Sequence, residues 1–258
     1  MQQINRDPKQ MNTEDCPPAD QHIDKLAPSH ALDLMLNSQA KAMPALRDAL
    51  PAIEAAGLAT FERLHANLDG RLLYAGAGTS ARIGVQDGVE LTPTFNWPRN
   101  RLGFLIAGGE AALLGAIENA EDDAEAGTTA AALKKIGPSD VVIAVAASGK
   151  TLFTHGVLTA AKAAGALTIG VANNAGTPLL MAADHPILLA TGGEIIAGST
   201  RLTAGTAQKI CLNLLSNLVM VKMGYVVDGM MAAMVPTNAK LRQRRAAIDA
   251  ALQQIIPD

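Results

Sequence analysis

The chain has 258 residues, 49% hydrophobic, 17% charged and 3% aromatic, with a net charge of −3. That much apolar surface offsets chain entropy and excludes disorder over most of the length. The mild acidity and scarce aromatics argue against a dedicated nucleic-acid binder, which would carry a basic stripe and stacking rings.

Residues 1–28 are polar, with Pro8, Pro17, Pro18 and Pro28, and read as a mobile arm. Met1 to Lys25 has no apolar core, so no signal peptide is expected there. Ser29 is a plausible N-cap for a helix over 31–37, and Pro51 suits the first turn of a helix reaching about residue 67. From Asp69-Gly70 onward short apolar runs alternate with helical stretches. The runs are RLLYA (71–75), LGFLIA (102–107), DVVIAVA (140–146), LTIGV (167–171) and ILL (187–189). Helices are expected over 80–89, 110–133, 151–164 and 178–183, a long one from Arg201 to about Met223, and another over 238–255. Continuous apolar strands separated by helices predict βαβ units, with a parallel sheet covered on both faces. Residues 29–258 therefore read as a single α/β domain with flanking helices. The uncharged stretch 163–183 contains Asn173, Asn174, Gly176 and Pro178, which makes it strand, loop and helix and not a membrane span.

Two strand ends carry unusual chemistry. Gly76-Ala77-Gly78-Thr79-Ser80-Ala81-Arg82 follows the first strand, and Ser148-Gly149-Lys150-Thr151 follows the third. Small residues let backbone N–H groups approach an anion, the helix N-terminus adds positive potential, and hydroxyls add donors. A dinucleotide reading of the first loop lacks the acid expected about 20 residues on, where Arg99 and Arg101 lie. A P-loop reading of the second would need Gly at 144, which is Ala144. Ordinary N-caps remain the plain alternative, but two copies at strand ends favour a phosphate ligand. His65, His155 and His185 fit no metal spacing, and neither do Cys16 and Cys211. Two distant cysteines give no disulfide framework either, so a reduced, cytoplasmic setting is expected. Cys211 is expected in the core, and Met220, Met223, Met230, Met231 and Met234 are expected to pack an interface.

These loops on a five-stranded parallel sheet resemble the sugar isomerase (SIS) phosphosugar-binding domain, a three-layer α-β-α sandwich. Longer segments are similar to those of bacterial N-acetylmuramic acid 6-phosphate etherases. GAGTSARIG (76–84) resembles their GAGTSGRLG, and ELTPTF (90–95) their ECPPTF. IAGGE (106–110) matches IAGGE, and ENAED (118–122) resembles EGAED. GSTRLTAGTAQK (198–209) resembles GSTRMKAGTAQK, and the segment 236–241 resembles ATNEKL. Ala81, Lys150, Leu152 and Thr203 depart from a Gly, an Arg, a Pro and a Lys. The family usually continues into a small C-terminal helical domain, so a chain ending at Asp258 reads as a short form.

The resemblance implies a cofactor-free, metal-free lyase that cleaves the D-lactyl ether of N-acetylmuramic acid 6-phosphate. Its products are N-acetylglucosamine 6-phosphate and D-lactate, as in peptidoglycan recycling. It further implies Glu90 and Glu121 as the two proton-transfer groups. Phosphate or carboxylate contacts are expected from Gly78, Thr79, Ser80, Ser148, Gly149, Lys150, Thr151, Ser199, Thr200 and Arg201. A phosphosugar aldose–ketose isomerase and a non-catalytic phosphosugar regulator are the alternative activities. Glu90 is ten residues beyond Ser80, about 15 Å along a continuous helix. A sugar phosphate does not span that from phosphate to C2. Three arrangements follow: the helix ends near Gly88, the phosphate is held by Ser148–Thr151, or Glu90 serves a partner subunit in a homodimer.

Overall fold

The computed structural model describes residues 12–115, 117–236, 242–243 and 245–246. Its centre is a parallel sheet of β1 (Leu72–Gly76), β2 (Leu102–Ile106), β3 (Val141–Val145), β4 (Leu167–Ala172) and β5 (His185–Leu188), in the order β2-β1-β3-β4-β5. The five expected strands are all present, in register from Leu72 beside Val141 to Gly76 beside Val145 between the two central strands.

The strands are continuously apolar because both faces are covered. Leu72, Tyr74, Val141, Ile143 and Val145 point to one face, and Leu73, Ala75, Val142 and Ala144 to the other. The first face packs on α2 (Ala42–Ala66), α3 (Gly78–Phe95) and α7 (Thr203–Lys222). The second packs on α4 (Ala124–Leu133), α5 (Leu152–Ala163) and α6 (Pro178–Ala182). Each fully buried Leu, Ile or Val contributes about 1.5–3 kcal/mol, so these faces dominate the stability. Helix α1 (Pro28–Ala40) lies against the start of α7, where the Thr203 hydroxyl donates to the Ser38 carbonyl at 3.3 Å. Two-residue strands β6 (Val226–Val227) and β7 (Met230–Met231) form a small hairpin after α7 that the apolar pattern does not signal.

Several expectations need correction. Pro51 is not in a first turn: α2 begins at Ala42 and runs through it. Buried Ala42, Ala45, Leu46, Ala49, Ile53 and Ala56 make an unbroken stripe, whose packing outweighs the roughly 3 kcal/mol an internal proline costs. Helix α1 starts at Pro28, with Ala27 as N-cap in place of Ser29, since proline suits the first helical position. The segment 110–133 is not one helix. Short 3-10 turns cover Glu110–Leu113 and Ala120–Asp122, and only α4 is α-helical. Asn119 sits at a left-handed φ of 59°, and Asp123 caps α4 by accepting the Ala126 N–H at 2.8 Å.

Residues 1–28 as a mobile arm fits poorly with the described part. Thr13 is fully buried and exchanges hydrogen bonds with Asn174. Met220 and Met234 belong to this chain's own buried interior and not to an interface, as does Cys211, whose thiol burial pushes up to about 12. Of the helix expected over 238–255, only 242–243 and 245–246 are described, and these are helical; the rest lies outside the described residues.

The amino ends of the strands are tied by charge. Asp140 accepts from the Arg71 backbone N–H and Nε, both at 3.0 Å, from Arg71 Nη2 at 2.6 Å and from the Gly137 N–H at 2.9 Å. Burial raises the Asp140 carboxyl, but these four donors outweigh it and hold the group below the usual carboxylate range. Arg71 is partly exposed and also donates to the Lys134 and Lys135 carbonyls, so its charge is not stranded. Asp140→Asn is expected to destabilise by about 1–3 kcal/mol, the range for lost hydrogen bonds to a charged group. Because the folded value is depressed, the contribution is complete above the unfolded value near 3.9 and is lost as pH falls through the folded one. Denaturant unfolding across a pH series checks this: the gap between wild type and variant should be constant above about pH 5 and close in acid. Arg101 is likewise structural. Its guanidinium donates to the Gly70, Leu64 and Asn67 carbonyls and lies 4.4 Å from the Trp97 ring centre, at the amino edge.

Candidate functional site

The sheet order makes β1 and β3 neighbours, with β2 outside β1 and β4 outside β3. The strand order therefore reverses between β1 and β3, and in open parallel sheets ligands sit in the crevice at the carboxyl side of that switch point. A cavity of about 440 Å³ opens there. Its lining includes Gly78, Thr79 and Ser80 after β1, and Ser148, Lys150 and Thr151 after β3. Glu121 and Asp122, Gly198 and Thr200, and Glu14 complete the wall.

The two hydroxyl loops differ in what they offer. Gly78 opens α3 with a φ of +51°, and a β-carbon there would meet nothing within 4 Å. The buried Ser80 hydroxyl donates to Gln208 Oε1 at 2.9 Å, and Gln208 Nε2 donates to Asn173 Oδ1 at 2.9 Å. Asn173 in turn donates to the Leu189 carbonyl. With its one proton committed to this chain, the Ser80 side chain has no donor left for an anion. In the second loop Ser148 Oγ accepts the Lys150 N–H at 3.2 Å, which leaves its own proton available. Gly149 has a φ of +66°, and its α-carbon is packed so tightly on Thr177 that a β-carbon would come within 2.2 Å of Thr177 Oγ1.

Three helix N-termini reach this edge. No side chain caps α3, which starts after Ala77, or α5, which starts after Thr151. Residues at both starts line the cavity, and the free N–H groups of a helix N-terminus are suited to an anion. Helix α7 differs: the buried Glu194 carboxylate accepts the Thr203 N–H at 3.0 Å and the Ala204 N–H at 2.8 Å. Its terminus is already satisfied by an anion of the chain itself. Sequence reading missed Glu194. The signal available was an acid in Gly192-Gly193-Glu194, nine residues before a helix start. Gly149, Ser199 and Arg201 are absent from the cavity lining, whereas Thr200 is part of it.

Glu121 stands on the 3-10 turn ahead of α4 and faces the cavity. The loop leading to it is held by Arg82 on α3, which donates to the carbonyls of Ala112 at 2.9 Å, Leu113 at 3.0 Å and Gly115 at 3.2 Å. Glu90 is elsewhere. Helix α3 passes Gly88 unbroken and continues to Phe95, so the early helix end is excluded. Glu90 lines a separate cavity of about 240 Å³ between α3 and α7, with Asp87, Lys209, Asn213 and Ser216. Asp87 is buried there and accepts from the Tyr74 hydroxyl at 2.7 Å, Asn213 Nδ2 at 2.6 Å and the Ser216 hydroxyl at 3.1 Å. Burial, and then the Asp87 charge and hydrogen bond, push the Tyr74 phenol well above its ordinary value. Among the described residues no three His, Cys, Asp or Glu side chains converge as a metal site, and no helix is long and apolar enough to cross a membrane.

Fold and cavity define an SIS-domain protein. Residues 58–162 match the family model of the glucokinase regulatory protein N-terminal SIS domain, and residues 118–218 that of the SIS domain. A phosphoheptose isomerase structure from Francisella tularensis shares the fold, with a TM-score of 0.55 at 18% identity, covering 76% of this chain and 98% of that one. Sequence relatives narrow the class. An N-acetylmuramic acid 6-phosphate etherase of Deinococcus radiodurans is 50% identical over 232 residues, 90% of this chain and 75% of that protein. One from Rubrobacter xylanophilus is 42% identical over 236 residues, covering 92% and 78%. The chain belongs to the N-acetylmuramic acid 6-phosphate etherase family.

Proposed function

We propose that the protein is a carbon–oxygen lyase that cleaves N-acetylmuramic acid 6-phosphate to N-acetylglucosamine 6-phosphate and D-lactate. The observation that carries the reading is the switch-point cavity, with two uncapped helix N-termini for a phosphate and Glu121 on its wall, in a chain 50% identical to a named etherase. An ether oxygen leaves poorly by direct displacement. Elimination is easier once the sugar ring opens to its aldehyde, because the carbonyl acidifies the C2 proton. One carboxylate removes that proton, and the C3–O bond breaks as a carboxylic acid protonates the departing lactate oxygen. Water then adds at C3 of the unsaturated aldehyde, and the proton returns to C2. Two glutamates suffice for these transfers.

Glu121 and Glu90 are the pair we assign. Glu90 does not line the strand-end cavity of its own chain. Along the continuous α3 it lies about 15 Å from Ser80. This supports a homodimer in which Glu90 of the partner subunit completes each site. Ser148, Gly149, Lys150 and Thr151 with the start of α5 hold the phosphate, while Gly78 and Thr79 add backbone donors and Ser80 acts through its backbone. Thr200 contributes a hydroxyl, and Ser199 and Arg201 shape the loop that carries it. The setting is cytoplasmic, in peptidoglycan recycling. The test is incubation with N-acetylmuramic acid 6-phosphate and an assay for D-lactate. Lactate release is the expected result. Sugar-phosphate binding without lactate would make the protein a regulator, and ketose–aldose interconversion would make it an isomerase.

A further inference from the structure

The N-terminal segment carries a carboxylate into the strand-end cavity. The Thr13 N–H donates to Asn174 Oδ1, and Asn174 Nδ2 donates back to the Thr13 hydroxyl, both at 3.0 Å. Asn174 follows β4, and its Nδ2 also lies 3.5 Å from the Ser148 carbonyl, so this strap is tied to the loop after β3. The next residue is held by a closed turn. The Glu14 N–H donates to Asn12 Oδ1 at 3.2 Å, the Asn12 N–H to Asp15 Oδ2 at 2.9 Å, and the Asp15 N–H to the Asn12 carbonyl at 3.0 Å. The Glu14 side chain lies along Gly198, where a β-carbon would come within 3.0 Å of Glu14 Oε2. It faces the cavity shared with Glu121, Lys150 and Thr200, and among the described residues it makes no ion pair.

We propose that Glu14 is a specificity-determining residue whose carboxylate accepts hydrogen bonds from the sugar hydroxyls and the acetamido N–H. The assignment rests on the etherase reading above. An ionised carboxylate accepts and does not donate. Both ends of the substrate, the phosphate on C6 and the carboxylate of the lactyl group, are anions that Glu14 repels. The neutral donors between them are what it can bind, so it sets where the sugar lies relative to the phosphate loop. Among the described residues none uses these lone pairs in an ion pair, and Gly198 leaves room for them.

Calorimetry on the full chain with N-acetylglucosamine 6-phosphate and, separately, inorganic phosphate tests this in wild type, Glu14→Ala and Glu14→Gln. Glu14→Ala is expected to weaken the sugar phosphate by on the order of tenfold to a hundredfold, the range for hydrogen bonds to a charged group. Inorganic phosphate should bind as well or better, because a nearby anion has gone. Glu14→Gln, which keeps one acceptor oxygen, should fall between, and KM for N-acetylmuramic acid 6-phosphate should rise in the same ratios. Unchanged sugar-phosphate affinity in Glu14→Ala would overturn the proposal. So would a parallel loss of inorganic phosphate, which would reduce the residue to packing of the strap on Ser148. A wild type that binds N-acetylglucosamine 6-phosphate yet releases no D-lactate would remove the etherase reading while leaving Glu14 to be judged by the binding data. A wild type that binds neither ligand overturns both.

Discussion

Glu90→Gln and Glu121→Gln should each lower D-lactate release by on the order of 10²–10⁴-fold, the usual worth of a positioned proton-transfer group, while N-acetylglucosamine 6-phosphate still binds. The amide is nearly isosteric, so folding should be unaffected, and both side chains are exposed. Mixing the two inactive variants is the sharper experiment. If each site takes Glu121 from one chain and Glu90 from the other, a mixed dimer has one intact site and one doubly altered site. With free subunit exchange at equal amounts, roughly a quarter of wild-type activity should return, by the arithmetic of a two-fold symmetric pair. Activity that does not return on mixing would place both glutamates in one chain's site, and full activity of Glu90→Gln alone would remove it from the mechanism. The geometry that motivates the experiment is the separation of the two cavities by the unbroken helix α3.

Gly149→Ala is expected to disable the loop after β3. Gly149 has a φ of +66°, and the added methyl would sit 2.2 Å from Thr177 Oγ1 and 2.6 Å from Thr177 Cβ. Thr177 is itself buried and cannot swing away. Nor can the loop slide freely, because the Gly149 N–H donates to the Ala146 carbonyl at 3.0 Å and its carbonyl accepts the Leu179 N–H at 3.2 Å. Left-handed strain of about 1–2 kcal/mol and overpacking of about 1–3 kcal/mol add, so a loss of a few kcal/mol of stability is expected. Gly176→Ala separates the two causes. Its φ is +65°, but a β-carbon there meets nothing within 4 Å, so only the backbone strain should appear. Thermal unfolding with and without inorganic phosphate reads both effects. Gly149→Ala should lose the stabilisation by phosphate as well as intrinsic stability, and Gly176→Ala should keep the ligand effect. Equal behaviour of the two variants would show that Thr177 does not constrain the loop.

The strands were legible because burial on both faces leaves no polar alternation, and DVVIAVA or LTIGV has no other stable use between helices. The two loops were legible as candidate anion sites because glycine and hydroxyls at a strand-to-helix junction are a local pattern suited to that use. Helix ends were read less well. Pro51 looks like a start until one sees that Ala42 to Ala56 bury a common stripe, and the segment 110–133 looks helical until Asn119 turns it and Asp123 restarts it. Local composition has no access to the tertiary surface that overrides a proline or rewards a loop.

Low charge and an apolar excess over so few aromatics follow from a five-stranded sheet filled mostly by Ala, Val, Leu and Ile and covered on both sides. A net charge of −3 is no obstacle to the proposed anionic ligand, because Lys150, hydroxyls and backbone N–H groups line the cavity locally. Those matters the chain's order of residues decides by itself, since periodicity and turn chemistry are local. Which donors are free is decided only by distant contacts. Gln208 takes the Ser80 proton from 128 positions away, Glu194 occupies the start of α7, and Asn174 draws Thr13, and with it Glu14, to the cavity. A side chain's hydrogen-bonding capacity belongs to its type, but whether that capacity remains for a ligand depends on neighbours that only folding supplies.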